Sequence, residues 1–104
     1  MSESDLYARI VEVAKKLGLI ALRLNSGKVP TRGGWMQLCP VGTPDAVIFG
    51  PCGQALFLEA KVEGKDLSPA QKEFRAKAAR LGHVVERVVT EADVVRAVKE
   101  HLQV

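Results

Sequence analysis

The stretch that decides the fold is Gly42-Thr43-Pro44-Asp45-Ala46-Val47-Ile48-Phe49-Gly50-Pro51-Cys52-Gly53-Gln54-Ala55-Leu56-Phe57-Leu58-Glu59-Ala60-Lys61. Two apolar runs, 46–49 and 54–61, flank Gly50-Pro51-Cys52-Gly53, the composition of a hairpin turn. Charged groups interrupt the apolar pattern at one end of each run: Asp45 enters the first, and Glu59 and Lys61 close the second. Residues two apart on a strand share a face, so Glu59 and Lys61 project together while Ala60 points the other way. If Pro51 to Gly53 form a three-residue loop, Asp45 falls opposite Glu59 with Cβ atoms about 5 Å apart. A two-residue loop would slip the register by one and send the two carboxylates to opposite faces.

Facing carboxylates repel, and a hard divalent cation such as Mg²⁺ resolves the conflict, because it takes one or two carboxylates together with waters and substrate phosphate. Lys61 beside such an ion is placed to hold an attacking water or to help deprotonate it. This grouping suits phosphodiester hydrolysis. The plain alternative is a solvent-facing Glu59–Lys61 ion pair on an edge strand, with Asp45 only capping a turn after Pro44.

Outward from this hairpin, Leu6, Ile10, Val13, Ala14 and Leu17 recur at helical spacing, with Ser2 or Ser4 as cap and Gly18 as stop, which predicts a helix over 4–17. The segment 19–24 (LIALRL) reads as a strand. Residues 25–43 carry Gly27, Pro30, Gly33, Gly34, Pro40 and Gly42 with Lys28, Arg32 and Trp35 among them, the composition of a long ordered loop or of short irregular strands. Downstream, Ser68-Pro69-Ala70-Gln71 opens a helix running to about Leu81, with Pro69 at its first position and Gly82 as its stop. A β-branched strand follows over 83–89, and Thr90-Glu91-Ala92-Asp93 starts a last helix with Val94, Val95, Val98 and Leu102 on its apolar side. The order predicts an α/β layered fold, a central mixed β-sheet flanked by helices, in one domain over 1–104.

Composition narrows the function class. In 104 residues, 47% are apolar and 26% charged, a globular balance outside the disordered range. A formal net charge of +3 is compatible with a polyanionic partner. The start MSESDLYARI has no apolar signal region and no run approaches the ~18 residues of a membrane span, so a cytoplasmic protein is expected. Cys39 and Cys52 form no CxxC and have no His at ligand spacing, which predicts reduced thiols, Cys39 packed and Cys52 in a turn. His83 and His101 stand alone and take no role.

The pattern Gly42-Thr43-Pro44-Asp45, thirteen residues, Glu59-Ala60-Lys61, then Leu67-Ser68-Pro69-Ala70-Gln71 resembles the PD-(D/E)xK nucleases, whose core is that of restriction endonucleases. Within that superfamily it looks most like the stand-alone, phage-type VRR-NUC (virus-type replication-repair nuclease) domain. The resemblance extends over nearly the whole chain, taking in Glu3-Ser4-Asp5-Leu6, the Asn25-Ser26-Gly27 turn and Gly82. It implies an Mg²⁺- or Mn²⁺-dependent endonuclease with no organic cofactor, acting on branched DNA, often four-way (Holliday) junctions, as a homodimer. It implies further that Asp45, Glu59 and the backbone carbonyl of Ala60 hold the metal, that Lys61 is the catalytic lysine, and that Gln71 orients the lysine or the water. The helix-borne acid of the family corresponds to Glu3, with Glu12 as the alternative. Tyr7 stands where the family often has glutamine. A non-catalytic junction-binding module of the same fold, and a nuclease of another substrate class, are the competing functions.

Several of these residues also have simpler roles. Ser68 and Gln71 are spaced as a capping box, in which each side chain satisfies the other's backbone N–H. Lys65, Lys72 and Arg75, with Lys77 and Arg80, place charge on the central helix and its approach, and Lys28 and Arg32 add more in the 25–43 segment, enough to track phosphates. Asp66 and Glu73 interspersed among them also fit a solvated face. Trp35 suits stacking on an opened base, a subunit interface or core packing. Apolar groups of the 25–43 segment or of the last helix, Val94 and Val98, are candidates for a dimer contact.

Overall fold

In the computed structural model, which describes residues 2–104, the central hairpin forms in the register that a three-residue turn demands. The elements are α1 (Glu3–Lys16), β1 (Ile20–Arg23), β2 (Lys28–Thr31), β3 (Gly34–Gln37), β4 (Ala46–Phe49), β5 (Ala55–Ala60), α2 (Pro69–Arg80), β6 (Val84–Val88) and α3 (Glu91–Leu102). Ala46 pairs with Leu58 and Phe49 with Ala55 across a turn at Pro51–Gly53. Cys52 in that turn takes φ 60, a left-handed conformation in an exposed side chain.

The four-stranded sheet has the order β1-β4-β5-β6. Its first two pairings are antiparallel and β5–β6 is parallel, so the sheet is mixed and α2 is the crossover between its parallel strands. Strand alternation divides its faces. Ala46, Ile48, Leu56, Leu58, Ala60 and Val88 pack with Leu6, Ile10, Val13 and Ala14 of α1 and with Val94, Ala97, Val98 and Leu102 of α3 in one buried cluster. The opposite face carries Phe57, whose ring meets Phe74 of α2 edge-on at 6.2 Å. Val94 and Val98 are wholly buried in the first cluster, so neither is available for a dimer contact; the hydrophobic face of α3 is spent on the core.

Each helix begins where its sequence says it should, with a capping box: Ser2 with Asp5, Ser68 with Gln71, and Thr90 with Asp93. The 25–43 segment is more regular than its glycines and prolines suggest. β2 and β3 form a separate two-stranded antiparallel ribbon, Lys28 opposite Gln37 and Pro30 opposite Trp35. Trp35 is 71% exposed, which excludes core packing. At the far end of that segment Gly42 has φ +96, and a Cβ there would lie 2.6 Å from the Ala70 carbonyl oxygen. The chain therefore passes against the first turn of α2 immediately before Asp45, with Pro44 fully buried.

Candidate active site

Asp45 is fixed from two sides. Its backbone oxygen accepts from the Leu24 N–H at 2.8 Å, extending the β1–β4 ladder by one step. Its carboxylate Oδ2 accepts from the Ala60 N–H at 2.7 Å, reaching across to the end of β5. Asp45 immediately precedes Ala46, whose partner is Leu58, and its carboxylate lies beside that of Glu59.

Glu59 is 2% exposed on β5, an interior strand, and this disposes of the solvent-facing ion pair on an edge strand. Its Oε2 is buried without a hydrogen-bond partner. Burial pushes the Glu59 carboxyl up to about 8; its hydrogen bond with Asp45 and the charge of Asp45 push the same way, as does Glu3, while Lys61 opposes them. A buried carboxylate oxygen without a hydrogen-bond partner, on a side chain beside a second carboxylate, is a donor set that fits a hard divalent ion.

Lys61 follows the last ladder residue of β5; its N–H donates to the Val88 carbonyl at 2.9 Å and its side chain is half-buried near Glu59. Glu3 enters from the first turn of α1. With Ser4, Tyr7, Arg23, Asp45 and Ala60 it lines a cleft of about 60 Å³. Glu12 is elsewhere, pairing with Arg9 at 3.5 Å along a groove that the two share with Asp5 and Ala8. Gln71 completes its capping box, accepting from the Ser68 N–H through Oε1 at 2.7 Å, and it does not line the cleft.

Arg23 is the residue that sequence reading missed. Its guanidinium lies over the Tyr7 ring, 5.0 Å from the centroid, at the mouth of the cleft. The signal was present: Arg23 is the one charged residue in an otherwise apolar strand, and an antiparallel β1–β4 pairing sets it opposite Ala46, next to Asp45.

Among the basic residues, Lys72 is tied to Asp66 at 2.9 Å and Lys77 to Glu73 at 3.2 Å, which neutralises part of α2. Lys28, Arg32, Lys65 and Arg75 are exposed. The two histidines have partners that their isolation in sequence concealed. His101 Nε2 lies 3.1 Å from Glu86 Oε1 and 3.8 Å from Glu100 Oε2, and the His83 ring meets Phe57 edge-on. Glu86, Glu100 and His101 are the one set of three potential ligands within 4.8 Å of one another among the described residues. Glu86 pairs with Leu58, on the face covered by α3, so this set is separate from Asp45 and Glu59.

Among solved structures, one described as "VRR_NUC domain" superposes on 95% of this chain and 95% of its own, with a TM-score of 0.70 and 22% identity. The chain has the VRR-NUC fold. No protein-family model matches it, and no curated protein does. Where β5 stops, Asp45 and Ala60 line the cleft with Glu3 and Arg23, while Glu59 and Lys61 lie beside Asp45 without lining it. No helix among the described residues is long and apolar enough to cross a membrane.

Proposed function

We propose that this protein is a metal-dependent endodeoxyribonuclease that hydrolyses phosphodiester bonds in branched DNA, four-way junctions first, acting in the cytoplasm as a homodimer. The observation that carries this reading is the buried Glu59, with an orphaned carboxylate oxygen, paired with the half-buried Asp45 beside Lys61 on a VRR-NUC fold.

Asp45, Glu59 and the Ala60 carbonyl would hold Mg²⁺ or Mn²⁺, which supplies neutralisation of the scissile phosphate and of the departing oxygen. Lys61 holds the attacking water against the phosphate. The water oxygen bonds to phosphorus, the bond to the leaving oxygen breaks, and the proton lost by the water is taken up by the leaving oxygen. Glu3 adds a third carboxylate that steers a water on the cleft side. Gln71 keeps its Oε1 on the helix cap, so an orienting role falls to its amide nitrogen. Lys28, Arg32, Lys65, Lys72 and Arg75 contribute phosphate contacts, with Lys72 first leaving Asp66.

Two matched cuts across a junction require two sites related by a twofold axis, which is the reason for the dimer. The edge strand β1 offers a surface for it: Ile20 is 60% exposed, and its cross-strand neighbour Phe49 is exposed on the same face.

The test is cleavage of labelled four-way junction, forked duplex, linear duplex and single strand in Mg²⁺, Mn²⁺ or EDTA, by wild type and Lys61→Ala. Junction cutting that needs both the ion and Lys61 is expected. Binding of junctions with no cutting in either ion would replace this reading with a non-catalytic module, and preferential cutting of linear duplex would reassign the substrate.

A further inference from the structure

Between Glu12 and Asp45 the chain runs for 32 residues without a carboxylate, while it carries Lys15, Lys16, Arg23, Lys28 and Arg32. The β2–β3 ribbon occupies the middle of this stretch. Every residue of β3 is exposed, and only Val29 of β2 is half-buried, so the ribbon spends almost none of its surface on the core. A separate two-stranded sheet that buries so little contributes little to stability.

Its position is specific. The chain leaves the main sheet after Leu24 and returns at Asp45, and the Leu24 N–H to Asp45 carbonyl bond joins the two ends of the excursion. The ribbon therefore springs from the residue at the heart of the acidic site. Pro30, which pairs with Trp35, is six residues beyond Leu24, so its Cα lies at most about 20 Å from that root, with Trp35 one cross-strand step away. That distance corresponds to roughly six steps along a DNA strand.

The ribbon is also two-faced. Lys28, Pro30, Trp35 and Gln37 share one side, by strand alternation and the Pro30–Trp35 register. Trp35 is thus directly across from Pro30, with Lys28 at the diagonal position and Arg32 at the turn. Gln37 locks the base of the ribbon, donating through Nε2 to the Gly27 carbonyl at 2.9 Å. A flat aromatic surface, flanked by cations on a stretch of chain without a carboxylate, matches a base with phosphates on both sides of it.

We propose that the β2–β3 ribbon is a DNA-reading arm: Lys28 and Arg32 hold phosphates and the Trp35 indole stacks on an unpaired base at a branch near the scissile bond. The inference rests on the nuclease reading only in taking the polyanion to be DNA. It deepens that reading by assigning preference for branched over continuous duplex to one side chain. In continuous duplex every base face is already covered, so the indole gains nothing there. At a fork or an opened junction a base face is free, and stacking there strengthens binding.

Trp35 is the sole tryptophan, so its emission reports directly on the arm. Titrations in EDTA, where no cutting occurs, compare a forked duplex with single-stranded tails, a four-way junction and a blunt duplex of the same sequence. The fork and the junction are expected to quench the indole and the blunt duplex to leave it unchanged. Trp35→Ala should bind the fork about 5- to 150-fold more weakly, with Trp35→Phe recovering part of the loss. Lys28→Ala should weaken all three DNAs alike and lower the salt slope by about 1.

Equal quenching by blunt duplex, or unchanged fork affinity in Trp35→Ala, would overturn the stacking role. So would a Trp35→Ala protein that sediments at half the wild-type mass, which would make the indole a contact between copies. The two proposals fail separately. Quenching by forks without cutting in Mg²⁺ or Mn²⁺ removes the nuclease and leaves the arm, whereas cutting of forks with a silent Trp35 removes the arm and leaves the nuclease.

Discussion

Glu59→Gln should make the metal-free protein more stable at pH 8 while abolishing cleavage. In the folded chain the Glu59 carboxyl is pushed from the ordinary 4.5 up to about 8, first by burial and then by Asp45. The native state therefore keeps a proton that the unfolded chain releases between those two values. Stability is full below the lower value and falls as pH rises through the higher one. At about 1.4 kcal/mol per pH unit the loss at pH 8 is at most on the order of 4 kcal/mol, a large share of the ~5–15 kcal/mol that holds a domain together. Glutamine has the same shape and no proton to lose, so this slope should vanish in the variant.

Urea unfolding followed by far-UV circular dichroism in EDTA at pH 5, 6.5 and 8 measures it. The two proteins should lie within about 1 kcal/mol of each other at pH 5 and diverge toward pH 8. Added Mg²⁺ or Mn²⁺ should then restore wild type, by about 2.7 kcal/mol at a hundredfold excess over the dissociation constant, and leave the variant where it was. Parallel pH dependences for the two proteins would refute the claim that Glu59 is a strained buried carboxylate.

Asp45 has a structural and a chemical part that two substitutions separate. Asp45→Asn retains an acceptor for the Ala60 N–H, so its urea midpoint should stay near wild type while cleavage is lost, whereas Asp45→Ala orphans that N–H and should cost a further ~1–3 kcal/mol. Glu3→Ala should reduce the cleavage rate while Glu12→Ala leaves it unchanged in the same junction assay, because only Glu3 lines the cleft with Asp45. Gln71→Glu preserves the capping box and Gln71→Ala breaks it, at ~1 kcal/mol. A fall in cutting by Gln71→Glu at unchanged urea midpoint would show that the amide nitrogen acts beyond the cap.

The hairpin was legible because two local facts determine it: a turn of fixed length and a side-chain period of two. Once Pro51–Gly53 is the loop, Asp45 and Glu59 have nowhere to go but the same face. The Ser68–Gln71 capping box was legible for the same reason, since two residues three positions apart decide it. The contacts that escaped are those between elements far apart in sequence. Arg23 over Tyr7 depends on how α1 crosses the end of β1, and His101 beside Glu86 on how the last turn of α3 meets β6. Val94 and Val98 show the limit of an amphipathic pattern. It says that one face of α3 is buried, and only the packing of α1 and α3 on the same side of the sheet says that the core, not a partner, buries it.

The arrangement of the sheet explains how the chain tolerates a carboxylate as buried as Glu59. The apolar interior lies almost wholly on one side, where α1 and α3 cover Ala46, Ile48, Leu56, Leu58, Ala60 and Val88. On the other side α2 buries only Ala78 of its own residues, and Phe57 and Phe74 make a lighter contact. Glu59 points to that thinner side, at the end of a strand whose preceding residues have already been secured by ladders on both flanks. Its unfavourable burial is thus offset by packing that it does not touch, and relieving it need not disturb the core. Asp45 is only half-buried, and it accepts from the Ala60 N–H, which would otherwise be left open where the β4–β5 ladder ends. One residue thereby caps a strand, opposes Glu59 and anchors the root of the β2–β3 ribbon, so the geometry of the acidic pair and the direction of the arm are set by the same hydrogen bonds.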